Sequence, residues 1–481
     1  MALYRADTRY RRLASKADLC KKHFEEESMK RFWLVLLSLG LIIAFSSSAM
    51  AVDVKFSGEY YAVGMYLDKT NLTKTTTGGN PSTAFYYQRL RVRTDFAVSP
   101  GLTLITRFDA MERAWGATRS NPVVALAADS AGTRVENENI AIDWVYINYA
   151  LPIGIFAAGY MNDGSTGTIF GNSYAPKARI KYSNAFGPIT LNLAYTKEAE
   201  NSRTAINATN RADADNDKYG IEGVYNWKTG KAGVNINYYN YDSNRPAAAA
   251  YKRTYFLVTP YAIAKIGPVS LQAEINYLTG SDKYEDGTNP AGAPGIDKVT
   301  LSGISGWIDA TADFGMFYAG GSIAYVSGND PGTNDKTEGG IINGGRDWNP
   351  CLIMWNYDRT NWAGTLTGYN AAAQDTAMAN GWLFQARGGV KPIVKLDVLA
   401  SVTYAFADQK PWATAGNPAT AYLYNDYGWE VDLTATYKIT NNLSYMLGGG
   451  YLFTGKYYKG TSDANELTND FLVINKLTLT F

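Results

Sequence analysis

The sequence has very few of the residues on which most enzyme active sites depend. Its 481 residues include one histidine and two cysteines, and His23 and Cys20 both lie in the N-terminal segment that precedes the expected mature chain. Cys351 alone remains, which excludes Ser-His-Asp hydrolysis, histidine-ligated zinc or haem, disulfide frameworks and thiolate clusters. Two suitably spaced carboxylates would still suffice for glycoside hydrolysis, which stays open as a remote alternative. We expect no enzyme activity, no cofactor and no metal site.

Long hydrophobic runs are also missing. Without a run of about 18 apolar residues, membrane-spanning helices are excluded. The longest apolar stretch, Phe32–Phe45, follows Lys30 and Arg31 and precedes the small residues of Ala49–Ala51. This order predicts a signal peptide over residues 29–51, and a membrane anchor is the weaker alternative because the run is too short.

The N-terminal residues 1–28 are polar and lie upstream of this signal. We interpret Met1 as a start codon assigned too early, with Met29 as the true start, and leave residues 1–28 out of the predicted fold. The expected mature chain, residues 52–481, reads as a single domain. Residues 1–51 hold 9 of the 45 Lys and Arg and 5 of the 44 Asp and Glu, which leaves 36 basic and 39 acidic side chains, a net charge of −3. Such a balanced charge does not indicate a nucleic-acid partner.

A row of arginines occurs in "YYQRLRVRTDF", where Arg89, Arg91 and Arg93 alternate with Leu90 and Val92. Side chains alternate sides along a strand, so one face of this strand is charged and the other is apolar. A solvated face of a soluble sheet would explain the row taken alone. The rest of the chain has to decide which face meets water.

Segments of about ten residues with the same alternation recur along the chain, for example "ITLNLAY", "VSLQAEINY" and "EVDLTATY". Short turns join these segments in pairs, and each pair is a predicted hairpin. Eight hairpins, one opening strand and one closing strand predict 18 strands, with 16 as an alternative. The predicted turns are Ser99–Gly101, Leu151–Gly154, Phe186–Pro188, Lys228–Gly230, Ile266–Pro268, Asp313–Gly315, Lys391–Ile393 and Thr440–Asn442.

Longer polar connections join the other ends of the hairpins, and the chain closes on "FLVINKLTLTF". In this segment Leu477, Leu479 and Phe481 share one face. It resembles the terminal strand of bacterial outer-membrane β-barrels, whose C-terminal aromatic is read by the barrel-assembly machinery. The predicted fold is an all-β, transmembrane, antiparallel up-and-down barrel with long extracellular loops. A soluble β-sandwich or β-helix is the alternative, but neither predicts short turns that alternate with long loops.

If the apolar face meets lipid, the arginine row faces the lumen, because an arginine at the bilayer midplane of a barrel costs about 2–4 kcal/mol. Both signs of charge are then expected along the pore. They could form a transverse field that sorts solutes, or a network of ion pairs that braces the wall; the sequence favours neither. The candidate pore-lining residues are Arg89, Arg91, Arg93, Asp95, Arg107, Asp109, Lys177, Arg179, Lys181, Glu274, Arg387, Glu430 and Asp432.

The longest loop, from about Gly328 to Leu383, is unusual because its segment Cys351–Trp355 is apolar. Two alternatives would cover it: the loop folds into the lumen, or it packs on neighbouring loops or an adjoining subunit. Packing is the interpretation that we favour, with Cys351 a buried apolar residue and not a reactive thiol. The segment Asn370–Gly381 is predicted to form a short helix.

The mature chain resembles the outer-membrane porin superfamily, and most closely the substrate-specific and alginate-export barrels. The resemblance implies a passive channel of the Gram-negative outer membrane for small hydrophilic solutes, with anions as a candidate class. It implies outer-membrane lipid, lipopolysaccharide and the assembly machinery as partners, and a homotrimer as one assembly. The alternative is a barrel that forms a sheath around a partner such as a multihaem cytochrome.

Overall fold

The computed structural model describes ten stretches of the chain, and Val54–Phe481 form one compact unit. The described stretches are residues 52–74, 82–116, 140–164, 167–171, 173–200, 215–242, 251–284, 296–342, 347–374 and 376–481. The predicted signal peptide and the residues before it lie outside them. These two predictions, and the assignment of residues 52–481 to a single domain, stay predictions.

Within these stretches, eighteen long antiparallel strands form one closed sheet, and a two-residue strand, β14, is added in the longest loop. The prediction of 18 strands is confirmed. No helix in the described stretches is long and apolar enough to cross a membrane. The strands are β1 (Asp53–Leu67), β2 (Thr83–Ser99), β3 (Leu102–Ala114), β4 (Ile140–Leu151), β5 (Gly154–Gly164), β6 (Ser173–Phe186), β7 (Ile189–Ala199), β8 (Asn216–Trp227), β9 (Gly230–Tyr241), β10 (Tyr251–Ile266), β11 (Val269–Tyr284), β12 (Lys298–Asp313), β13 (Phe317–Val326), β14 (Lys336–Thr337), β15 (Gly381–Ile393), β16 (Leu396–Phe406), β17 (Asp426–Lys438), β18 (Leu443–Thr454) and β19 (Asp470–Thr480).

The sheet closes because β1 pairs with both β2 and β19. Alternation along each strand then separates an inner from an outer surface. On β17 the side chains of Trp429, Val431 and Leu433 are exposed on the outside, whereas Glu430 and Asp432 are buried inside. The period of two in the sequence is therefore the pattern of a wall with an apolar outer and a polar inner face.

All eight predicted turns join paired strands, and seven lie where the sequence places them. The exception is the turn predicted at Lys391–Ile393, where β15 continues to Ile393 and the chain reverses at Val394 and Lys395. A register shift between Val390 and Ile393 explains the difference, because an irregularity in the ladder tolerates a proline, here Pro392.

The segment between β13 and β15, which we call the lumen loop, contains helix α1 (Tyr357–Ala363). Asn356 caps α1 by accepting a hydrogen bond from the Arg359 N–H at 2.8 Å. The helix predicted over Asn370–Gly381 is wrong. Only Tyr369–Ala371 form a single 3₁₀ turn, and the positive φ of Asn370 and Ala371 prevents a helix from continuing.

Candidate pore lining

The arginine row lies on the inner face of β2, and each of its members has an acidic neighbour. Arg91 binds both oxygens of Asp109, with its Nε and Nη2 each 2.6 Å from an oxygen. Arg93 binds Asp95 in the same way at 2.7 and 3.0 Å. Arg89 is held less tightly, because its guanidinium lies 3.7 Å from both Glu59 and Glu112.

Arg107 on β3 extends this network to β4. Its Nε is 3.3 Å from Asp143, and its guanidinium stacks 3.6 Å above the centre of the Trp144 ring. Asp143 and Trp144 are consecutive residues, yet both lie on the inner face, because the β3–β4 register shifts between Arg107 and Phe108. The wall here is an ion-pair network, as one of the two sequence-based alternatives expected.

The second basic row, on β6, is also turned inward, but its members differ. Lys177 forms an ion pair with Glu198 at 2.9 Å, and Arg179 lies 3.2 Å from Asp163. Among the described residues, Lys181 has no ion-pair partner. Farther round the barrel, Arg387 binds both oxygens of Asp309 at 2.6 and 2.8 Å.

The lumen loop is anchored to the inner wall by two carboxylates of β17. The backbone N–H groups of Ile353 and Met354 donate to the two oxygens of Glu430 at 2.6 and 2.7 Å, and that of Leu352 donates to Asp432 at 3.3 Å. The loop therefore enters the barrel, which our preferred interpretation of packing on neighbouring loops did not predict. Glu430 and Asp432 face inward, but the loop covers them and keeps them from open water, so their role as pore-lining residues stays a prediction.

Cys351 lies beside this anchor and is buried, as predicted. Burial raises the pKa of its thiol well above the usual range, and the nearby carboxylates act in the same direction. The Cys351 Sγ and oxygens of Glu430 and Asp432 lie within 4.8 Å of one another, a spacing that could hold a metal ion. Both Glu430 oxygens already accept loop amides, so the chain itself supplies the partners of this carboxylate.

Aromatic side chains also fix the lumen loop to other inward-facing parts of the barrel. Trp362 of α1 stacks on Tyr87 of β2 with ring centres 4.4 Å apart. Trp348 meets Phe170 edge-on at 5.0 Å, and Phe170 belongs to the connection between β5 and β6. This connection also enters the barrel, since the Thr168 N–H and hydroxyl both donate to Glu274. The side chain of Glu274 therefore points inward but is covered by this connection.

Between the arginine row and the lumen loop lies a cavity of about 670 Å³, which we call the constriction. The described residues that line it include three basic and five acidic side chains, a net charge of −2 when all are ionised. The loop contributes Asp347 and Asp358, both exposed, whereas the basic groups of the wall are half-buried. The charged lining residues are Arg89, Arg91, Lys177, Asp109, Glu112, Asp143, Asp347 and Asp358.

Sequence reasoning missed four of these acids: Glu112, Asp143, Asp347 and Asp358. Strict alternation from Arg107 and Asp109 would place Glu112 on the opposite face, and it turns inward because the β2–β3 register shifts between Gln88 and Leu90, where Met111 has a φ of 54°. Asp143 could not be assigned to a face without the β-bulge. Asp347 and Asp358 depend on where the lumen loop docks, which no local pattern encodes.

The residues of the predicted assembly signal lie on the outer surface beside the closing strand pair. Phe481 donates its N–H to Gly58 O at 3.0 Å and accepts from Gly58 N–H at 2.8 Å, while Leu479 and Leu477 pair with Tyr60 and Ala62. Leu479 and Phe481 are exposed. Their role in assembly stays a prediction.

Residues 38–387 match the family model described as Gram-negative porin. No curated protein matches the chain in sequence. Among solved structures, OccK5 (OpdH) of Pseudomonas aeruginosa is 11% identical over 89% of this chain and 98% of its own, with a TM-score of 0.47. OpdK of the same organism, solved with vanillate, is 10% identical over 89% and 99%, with a TM-score of 0.43. The outer membrane channel DcaP of Acinetobacter baumannii is 12% identical over 90% and 99%, with a TM-score of 0.38.

Proposed function

Because the chain belongs to the Gram-negative porin family, we propose that this outer-membrane channel passes small hydrophilic solutes by passive diffusion and sorts them by charge at the constriction. The observation that carries the proposal is the lumen loop, which narrows the barrel across from the arginine row and brings Asp347 and Asp358 next to the cavity of the constriction. A narrow zone lined by fixed charges selects the solutes that pass.

The charges at the constriction support a preference for cationic and zwitterionic solutes. The arginine row suggested anions, but Arg91 and Arg93 are each neutralised by a bidentate carboxylate. The lumen loop adds the exposed carboxylate of Asp358 to a lining in which acidic side chains outnumber basic ones by five to three among the described residues. An excess of fixed negative charge raises the local concentration of cations.

Reversal potentials in a salt gradient test this preference. We expect purified protein in planar bilayers to favour potassium over chloride, and Asp347→Asn with Asp358→Asn to lower that ratio several-fold, because both carboxylates face the cavity. Asp463→Asn is the matched control, since this exposed carboxylate of the β18–β19 connection pairs with Lys459 at 2.9 Å and does not line the constriction. A wild-type channel that favours chloride would contradict the proposal and would indicate anions as the transported solutes.

The sheath alternative has less support. A barrel that encloses a protein partner needs a wide lumen, whereas here the lumen loop enters the barrel, where its Trp362 packs on Tyr87 of β2 and its Trp348 on Phe170 of the β5–β6 connection. Conductance of the protein purified alone, without haem, distinguishes the two functions. Lipopolysaccharide, the assembly machinery and a homotrimer are also part of the proposal, the assembly machinery because of the outward, aromatic Phe481.

A further inference from the structure

The place where the lumen loop is anchored brings three metal-binding side chains together. Cys351 of the loop and Glu430 and Asp432 of β17 each offer a ligand atom, and these atoms lie within 4.8 Å of one another. None of the three residues is more than 6% exposed. We call them the anchor cluster. No spacing in the sequence indicates it, because Cys351 lies far from β17 along the chain.

The two carboxylates of the anchor cluster have no ion-pair partner. Among the described residues, no lysine or arginine lies within ion-pair distance of Glu430 or Asp432. The buried Arg359 acts on Glu430 only from beyond that distance, because its guanidinium donates to Gly364 O and to Thr360 Oγ1, each at 2.9 Å. Two buried carboxylates side by side require a cation between them, either a proton or a metal ion.

One oxygen of the anchor cluster lacks the partner that a buried carboxylate oxygen needs. Asp432 Oδ2 accepts from the Leu352 N–H at 3.3 Å and from the Ser401 hydroxyl at 3.4 Å, whereas Asp432 Oδ1 is buried and accepts from none of the described residues. Glu430 keeps a free lone pair on each oxygen, because each accepts only one loop amide. Asp432 Oδ1 and Glu430 Oε1 both lie beside Gly450, where a Cβ atom would come within 2.6 and 3.5 Å of them.

A thiolate and two carboxylates form a ligand set that suits zinc, whereas calcium and magnesium prefer oxygen ligands alone. We propose that the anchor cluster binds one zinc ion through Cys351 Sγ, Asp432 Oδ1 and an oxygen of Glu430. The thiol gives its proton to water when the sulfur–zinc bond forms. The three ligands then carry three negative charges, which the zinc ion and the Arg359 guanidinium balance.

The spacing of the cluster is close to what a zinc ion needs. Ligand distances of about 2.0–2.3 Å place the ligand atoms of a tetrahedral zinc ion about 3.5 Å apart, so rotations of the side chains suffice to close the site. A water completes the fourth position. The proposal revises the sequence-based expectation of no metal site.

The site goes beyond the proposed function and does not rest on it, because metal binding requires no conduction. One ligand belongs to the lumen loop and two belong to the wall. Zinc therefore fastens the loop to β17 in addition to the amide hydrogen bonds, and ligand bonds of this kind stabilise the folded state directly.

Metal analysis of the full mature protein without an affinity tag tests the proposal. The expected mature chain has no histidine and one cysteine, so binding elsewhere should be weak. After equilibration with zinc and dialysis, we expect one zinc ion per chain in the wild type and its loss in Cys351→Ala. Cobalt(II) in place of zinc should give a sulfur-to-metal charge-transfer absorption in the wild type, which shows directly that the thiolate is a ligand.

Two further variants locate the site. Gly450→Ala keeps all three ligands but crowds Asp432 Oδ1 and Glu430 Oε1, so it should also abolish zinc binding. Glu274→Gln is the matched control, because Glu274 is another buried carboxylate that accepts a backbone amide of an inward connection and lies outside the cluster. We expect this variant to bind zinc as the wild type does.

Thermal unfolding provides a second readout. Zinc should raise the Tm of the wild type and leave that of Cys351→Ala unchanged, since only a ligand of the folded state shifts unfolding. Heat-modifiable migration in gels reports whether each variant is folded. Should Gly450→Ala fail to fold, Cys351→Ala, which changes one small side chain of the loop, decides the proposal alone.

A wild-type protein that binds no zinc at neutral pH would overturn the proposal and would leave a proton shared by Glu430 and Asp432 as the neutralising cation. Zinc that is retained by folded Cys351→Ala would also overturn it, because the ion would then be bound elsewhere. A barrel that does not conduct would contradict the channel, yet its metal content would still decide whether the anchor cluster binds zinc.

Discussion

Two parts of the inner wall use carboxylates for opposite purposes. Under the lumen loop, Glu430 binds two backbone amides and is completely buried. Beside the arginine row, Asp109 and Asp143 bind guanidinium groups at the edge of the constriction. In the first place an anion positions the chain, whereas in the second it neutralises a cation. A carboxylate therefore holds the loop that narrows the pore in one region and forms the ion pairs that stiffen the wall in the other.

The largest effect should follow from removing the anchor of the loop. Glu430→Ala removes the acceptor of two buried backbone N–H groups, and a buried donor left without a partner costs about 1–3 kcal/mol, so the loop should leave the wall. We expect a higher single-channel conductance and passage of larger neutral polymers. Asp463→Ala is the control, because Asp463 pairs with Lys459 in the β18–β19 connection and does not line the constriction. Equal conductance in both variants would show that Glu430 does not hold the loop.

Substitutions in the arginine row should lower the free energy of unfolding. Arg91→Gln leaves Asp109, which is 7% exposed, without its bidentate partner and should lower the free energy of unfolding by about 3 kcal/mol. Arg93→Gln should cost about 1 kcal/mol or less, because the Arg93–Asp95 pair is more exposed. Thermal unfolding of the two variants measures the difference. A similar loss in both would mean that burial does not set the strength of these pairs.

The smallest effect is expected at Cys351 in the wild-type protein. Burial raises the pKa of its thiol, so little thiolate forms at pH 8.5, where an exposed thiol is about half ionised. We expect no alkylation of the folded protein, and alkylation of Glu430→Ala, in which the loop is released. Rapid alkylation of Cys351 in the folded wild-type protein would show that this thiol is not buried beside Glu430.

Much of the fold could be read from local patterns. Alternation and short turns predict the strand count because both depend on residues close in sequence. The face of Asp143 escaped prediction because a bulge breaks the alternation between Arg107 and Phe108. The position of the Cys351–Trp355 segment could not be predicted because the acceptor of its backbone hydrogen bonds, Glu430, is more than 70 residues away in sequence. The pattern showed that this segment needs a cover, but not which surface provides it.

The pairing of β1 with β19 has a consequence for how the barrel forms. The hydrogen bond from the Lys69 N–H to Asp470 beside this pair joins residues 401 positions apart, whereas the eight turns join strands that follow one another directly. Contacts between distant residues carry the greater loop-closure entropy and form late. We expect hairpins to assemble first and this pair to join last, which makes it the place where folding ends and where the wall can first come apart.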